Sequence, residues 1–155
     1  MNRNDEFMDD VIKVGENDTV EFKSWVKTSG RNARVRLAVD ELIAFANAKG
    51  GTVYFGIEDS GQVTGCSDYD CQSLIEAIYD KTRPPLFTNI EEIQYQGHIV
   101  LALSVVHDGN TYATTDGRCL KRLGKNSKPY YPEEMSNHYT QSQSPDFSGQ
   151  IVAAS

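Results

Sequence analysis

Residues 34–61 read RVRLAVDELIAFANAKGGTVYFGIEDSG, and the change of period inside this stretch decides the fold. Val35, Ala38, Val39, Leu42, Ile43, Phe45 and Ala46 recur at helical spacing, which predicts a helix from Arg34 to Ala48 with a wide apolar stripe. Thr52 to Ile57 is instead a compact β-branched and aromatic run, a strand. Asn47 and the Gly50-Gly51 pair end the helix and let the chain turn tightly into that strand. Asp59-Ser60-Gly61 is a turn signal, so Thr52–Ile57 and Gln62–Gly65 are expected to form a hairpin.

Working outward, Thr19 to Trp25 alternates Val20, Phe22 and Ser24 against Glu21, Lys23 and Trp25, a strand with one apolar face. Lys27 to Asn32 reads as a loop, and Met1 to Lys13 as a flexible acidic lead-in with at most one helical turn. Tyr69 to Lys81 is amphipathic through Leu74, Ile75, Ala77 and Ile78, a second helix stopped by Pro84-Pro85. Ile90–Tyr95 and His98–Val106 form a hairpin about Gln96-Gly97, and the second strand is apolar enough to lie at the centre of a sheet. Arg118–Leu123 is a last strand leading into a basic loop, Gly124–Lys128, and Pro132 starts a short helix reaching Tyr139. The Gln- and Ser-rich tail, residues 140–155, has little to bury and reads as a disordered tail or linker. The order predicts an α/β (α+β) fold, a mixed β-sheet packed by helices, in one domain over residues 14–139.

The 155 residues suit one domain with its own core. No apolar stretch approaches the roughly 18 residues of a membrane span, and the polar start is no signal peptide. Three cysteines, Cys66, Cys71 and Cys119, are too few and too odd in number for a disulfide framework, which points to a cytoplasmic setting. A net charge of −7 speaks against a nonspecific nucleic-acid coat, but the charge is unevenly spread. Lys23, Lys27, Arg31, Arg34 and Arg36 share one window without an acid, and Arg118, Lys121, Arg122, Lys125 and Lys128 share another. Screening confines distant charges to about 8–10 Å, so an acidic chain can still present a basic, phosphate-contacting face if the fold joins the two windows. Two solvated loops are the plainer alternative.

The sequence holds no Gly-x4-Gly-Lys-Ser/Thr phosphate loop and no Gly-x-Gly-x-x-Gly. Cys66-x4-Cys71 has no second Cys or His pair at zinc spacing, and the histidines His98, His107 and His138 locate no catalytic pair. Glu16, Glu21 and Asp59 are the acids of interest. Glu21 and Lys23 lie two apart on a strand and so share a face. Three carboxylates meeting near a lysine would suit Mg²⁺ or Mn²⁺, which takes oxygen ligands and can activate the attack on a phosphodiester. Spacing alone favours the plainer reading, a surface ion pair, a turn aspartate and lead-in charge.

Several stretches resemble the Schlafen AlbA-like domain family, described as a DNA-binding domain of bacterial regulators and related to the nuclease core of Schlafen proteins. They are Glu16-x4-Glu21-Phe22-Lys23, the run from Leu42 to Gly51, Tyr54 to Gly61, and Val63-Thr64-Gly65, with a weaker match from Lys121 to Pro129 and Pro132-Glu133-Glu134. The resemblance implies a Schlafen AlbA-like fold and a nucleic-acid-binding module of a regulator or defence protein, with DNA or RNA as partner. Lys23, Lys27, Arg31, Arg34, Arg36, Lys121, Arg122, Lys125 and Lys128 would then contact phosphates. Trp25, Tyr130 or Tyr131 would stack on bases. It also implies an alternative, a metal-dependent endoribonuclease cutting tRNA or rRNA, with Glu16, Glu21 and Asp59 holding Mg or Mn and Lys23 stabilising the phosphate charge. Animal members pair two such lobes around RNA, which one chain would match only as a homodimer. Binding itself requires no cofactor. A third reading is a protein-interaction or oligomerisation domain whose acidic face meets a basic partner.

Overall fold

A computed structural model of the chain describes residues 3–135. In chain order its elements are α1 (Arg3–Val14), β1 (Val20–Lys23), α2 (Arg31–Ala46), β2 (Gly51–Phe55), α3 (Cys71–Asp80), β3 (Thr82–Arg83), β4 (Asn89–Tyr95), β5 (His98–Val105), β6 (Ala113–Thr114), β7 (Leu120–Leu123) and β8 (Asn126–Pro129). A helical turn follows at 132–135. The expected continuation to Tyr139, His138 and the tail at 140–155 lie outside the described residues.

The central sheet has the order β1-β2-β5-β4. β1 and β2 are parallel, with α2 as their crossover, while β5 runs antiparallel to both β2 and β4. Alternation along the strands divides the core between two faces. Val53, Phe55, Leu101 and Leu103 pack with α2 and α3, through Val39, Leu42, Ile43 and Ile78. Phe22, Tyr54, Val100 and Ala102 form the other face, closed by Met8 of α1. β5 is buried on both faces, which is why it reads as almost wholly apolar. The sheet is mixed and packed by helices, as the sequence predicts.

Four local expectations need correction. The lead-in is a helix of 12 residues rather than one turn: Met8, Val11 and Ile12 lie at i, i+3 and i+4, a stripe masked by the acids around it. α2 starts at Arg31, inside the stretch expected as a loop, directly after Gly30. The hairpin expected after β2 is reduced to one bridge, Ile57 to Val63, because both edges of β2 already pair with β1 and β5. The expected basic loop Gly124–Lys128 is mostly β8, which turns back on β7 with Arg122 opposite Ser127.

The Gly50-Gly51 turn is sterically required. Gly50 has φ +81°, and a Cβ at Gly51 would stand 2.6 Å from the Phe45 ring and 2.8 Å from the Thr19 carbonyl. Asn47, just before it, is buried. Its amide donates to the carbonyls of Tyr112 (2.9 Å) and Leu120 (2.8 Å), and its oxygen accepts from the Tyr112 N–H (2.7 Å). The residue read as a helix terminator therefore also ties the start of β7 to the end of α2.

Candidate functional site

β1 is the edge strand where the acids of interest begin. Its register puts Val20 and Phe22 into the α1 face, so Glu21 and Lys23 project toward α2 and β7. From β7, Arg122 enters the same space with a fully buried side chain. Its guanidinium donates to Glu21 Oε1 (2.7 Å), Glu41 Oε1 (3.1 Å) and Ser127 Oγ (3.2 Å). It also donates to the carbonyls of Asn17 (3.0 Å), Val20 (3.2 Å) and Gly124 (3.1 Å), and lies over the Phe45 ring. Lys23 Nζ stands 3.4 Å from Glu41 and 3.8 Å from Glu21. Ser127 donates to Glu41 as well (2.6 Å), so one cluster clamps the β7–β8 ribbon to the sheet edge and to α2.

Glu16 closes the cluster from the segment before β1. One of its oxygens accepts the Phe22 N–H at 3.0 Å, and it shares a hydrogen bond with Glu21. Burial and that shared bond push the Glu21 carboxyl up to about 8, against the pull of Arg122. Burial also acts to raise Glu16, but the Glu21 bond, the Phe22 N–H and the cations Lys23 and Arg122 bring it below the usual range. Burial thus sets the two carboxyls apart, Glu21 holding its proton more tightly than Glu16.

Asp59 is exposed and stands apart from this pair. It lines a separate cavity of about 420 Å³ with Lys23, Lys27, Glu58 and Ser60. There Lys27, three-quarters exposed, pairs with the buried Glu58 at 3.1 Å, and Thr64 donates to the same carboxylate at 2.6 Å. Among the described residues no three His, Cys, Asp or Glu side chains gather into a metal-holding group. Of the three acids expected to hold Mg or Mn, the structure brings Glu16 and Glu21 together, with Glu21 also engaged by Arg122, and Asp59 lines the neighbouring cavity with Lys23. Glu41 is the acid that the sequence reading missed. Its signal is faint, because it sits one residue before the Leu42–Ile43 stripe, where a helical acid normally faces solvent.

The expected phosphate contacts divide into bound and free. Arg122 is not one of them: its side chain is buried and every direction is occupied by a protein acceptor. Arg34 lies 4.1 Å over the Trp25 ring and donates to the Trp25 carbonyl at 2.9 Å, and Arg31 donates to Ser73 Oγ at 2.7 Å. Lys121 stands 5.0 Å over the Tyr130 ring. Arg36, Lys125 and Lys128 are exposed and make no ion pair within the 4.0 Å criterion among the described residues. Trp25 and Tyr130 are buried and unavailable for stacking, while Tyr131 is exposed. The three cysteines are free, and burial pushes the Cys66 thiol up to about 12, which leaves it inert at neutral pH.

A mixed sheet covered on both faces, with a basic ribbon clamped across its crossover helix, defines an α+β domain of the AlbA-like kind. The family model described as Schlafen, AlbA_2 matches residues 16–131, and the chain belongs to that family. Among solved structures it is similar to the DIP2311 protein from Corynebacterium diphtheriae, with a TM-score of 0.66 and 25% identity. That match covers 82% of this chain and 24% of the other, so this chain spans about a quarter of that relative's length. It is also similar to the N-terminal domain of an ATP-dependent DNA helicase RecG-related protein from Nitrosomonas europaea. There the TM-score is 0.55 and the identity 19%, over 84% of this chain and 95% of that one, a likeness of fold. No curated protein matches the chain. No helix among the described residues is long and apolar enough to cross a membrane.

Proposed function

We propose that the chain is a nucleic-acid-binding module that holds the phosphate backbone through cations displayed on α2 and on the β7–β8 ribbon. One observation carries this reading. The ribbon packs along α2 through Arg122, so exposed cations of both acid-free windows, Arg36 on one and Lys125 and Lys128 on the other, are carried by two elements bonded to each other. Family membership and the helicase-related name of one structural neighbour agree with it. Such contacts position a strand without reading its bases. Replacing Lys125 and Lys128 together by alanine removes two of these charges. The slope of log K against log salt should fall by about 0.7 per lost contact on a single strand, or about 0.9 on a duplex. An unchanged slope would remove the ribbon from the interface.

A second reading, cleavage of RNA, has one arrangement in its favour: Glu16 and Glu21 hydrogen-bond each other beside Lys23, and burial raises the Glu21 carboxyl toward neutrality, as a proton-transferring group requires. Transfer RNA incubated with the protein and Mn²⁺ separates the two readings. Cutting that disappears in Glu21→Gln and in Asp59→Ala would establish an enzyme, and binding without cutting leaves the module.

A further inference from the structure

Arg36 and Arg118 come from different basic windows, yet they line one cavity of about 380 Å³, together with Lys81 at the end of α3. The sequence reading did not single out Lys81. Asn32 and Thr115 add uncharged polar groups to the wall, and Asp116 stands at it too. Backbone bonds fix the loop that carries Arg118. Thr114 N–H donates to the Arg118 carbonyl (2.7 Å), Arg118 N–H to Thr114 Oγ1 (2.7 Å), and Thr115 N–H to the Lys81 carbonyl (3.0 Å). Arg118 Nη2 is held by Asp40 at 2.8 Å. Its Nε and Nη1 are buried and find no hydrogen-bond acceptor among the described residues, the nearest carboxylate, Asp116, standing 3.8 Å from Nη1. Those two donors are closed off from solvent, so Arg118 offers the cavity its charge.

The charge balance agrees. Three cations face two carboxylates, Asp40 and Asp116, leaving one positive charge over. The cavity beside Trp25 is different, because there Arg31 and Arg34 already have protein acceptors. We infer that the Arg36–Lys81–Arg118 cavity is a phosphate-binding pocket that seats one phosphate group of the bound polynucleotide. The inference rests on the nucleic-acid reading and narrows it to one seat. A phosphate there meets the positive charge of Arg118 and the exposed side chains of Arg36 and Lys81. The group is either a strand's terminal phosphate or an internal phosphodiester, and the chemistry that recognises it is the same.

The test uses the full chain and an Arg36→Gln/Lys81→Gln variant, both changes being on exposed side chains. Its probes are inorganic phosphate and one single-stranded oligonucleotide carrying either a 5′-phosphate or a 5′-hydroxyl. The variant should keep its melting temperature and lose roughly tenfold in oligonucleotide affinity, the scale of a lost charged hydrogen bond. Phosphate should shift the Gly117 and Arg118 amide resonances of the parent and not those of the variant. If the 5′-phosphate strengthens binding to the parent alone, the seat holds a strand end. If both oligonucleotides weaken equally in the variant, it holds an internal phosphate. A variant that binds oligonucleotide as tightly as the parent overturns the pocket and leaves the broader reading standing. Phosphate-dependent shifts without oligonucleotide binding in low salt keep the pocket and overturn the polynucleotide. Neither response overturns both.

Discussion

The two faces of the β7–β8 ribbon carry the same kind of residue into opposite surroundings. On its inner face, opposite Ser127, Arg122 is buried among Glu21, Glu41 and three backbone carbonyls, and lies over Phe45. At its tip and outer side Lys125 and Lys128 stand in solvent with no ion pair among the described residues. Only two residues, Leu123 and Gly124, lie between Arg122 and Lys125. Removing water from a cation makes it depend on its protein partners, so the buried one becomes a structural clamp. The hydrated ones contribute little to stability and keep their field for an anionic ligand. Positive charge along a sequence therefore says little about binding until burial is known.

The largest effect should come from attacking the clamp. Arg122→Ala leaves Glu21 and Glu41 without their main partner and frees three backbone carbonyls, which should cost about 3–5 kcal/mol in urea or thermal unfolding. A loss below about 1 kcal/mol would mean that the ribbon is held some other way, and the contrast between its two faces would collapse.

A pH titration sharpens the same point at intermediate scale. Glu21 is raised in the folded state to about 8 from an ordinary 4.5, so the folded chain binds this proton more tightly than the unfolded chain does. Its contribution is therefore fully present below about pH 4.5 and is lost as pH rises toward 8. Glu16 is shifted down, so its contribution is present above the ordinary carboxylate range and is lost only as pH falls through its lowered value. Between pH 5 and 8 Glu21 sets the slope. Glu21→Gln should flatten that slope and raise stability at pH 8 relative to the parent by about 1–2 kcal/mol, a range kept small because solvent reaching the cluster screens it. A parent whose stability does not fall from pH 5 to 8 would contradict the raised Glu21.

The sheet was legible because its strands and α2 are written in apolar periodicity, which burial enforces at Val53, Phe55, Leu101 and Leu103. α1 was less so, since its stripe is only Met8, Val11 and Ile12 among acids. Pairing was harder: nothing local in Thr52–Ile57 says that its neighbours are β1 and β5 rather than the next segment. At the site, Glu16, Glu21 and Lys23 were legible as a motif, and they do meet. Arg122 was misread because β7 inverts the usual alternation, burying Arg122 while leaving Leu123 69% exposed. A polar partner across 101 residues decides that inversion, and no window of sequence contains it. Glu41, Lys81 and the separation of Asp59 from Glu16 are equally nonlocal.

Arg34 tests an intermediate case, since it is half-buried over Trp25 rather than free or fully enclosed. Arg34→Ala removes the stacking and the bonds to the Trp25 carbonyl and should cost about 1 kcal/mol. Stability lost with the salt slope of binding unchanged places Arg34 with the clamp; the reverse places it with the interface.

The smallest structural effect belongs to Lys125→Glu/Lys128→Glu. Neither lysine has a partner to lose among the described residues, so the melting curve should move by no more than about 0.5 kcal/mol. The same reversal turns two attractive charges into two repulsive ones beside any bound phosphate. Oligonucleotide affinity in low salt should therefore fall further than for the neutral double alanine, and the gap should close as salt rises, because these side chains are screened by water and ions. A fall in affinity that persists in high salt would show that the ribbon had distorted. A fall in stability comparable to that of Arg122→Ala would show that its two faces are one structural unit after all.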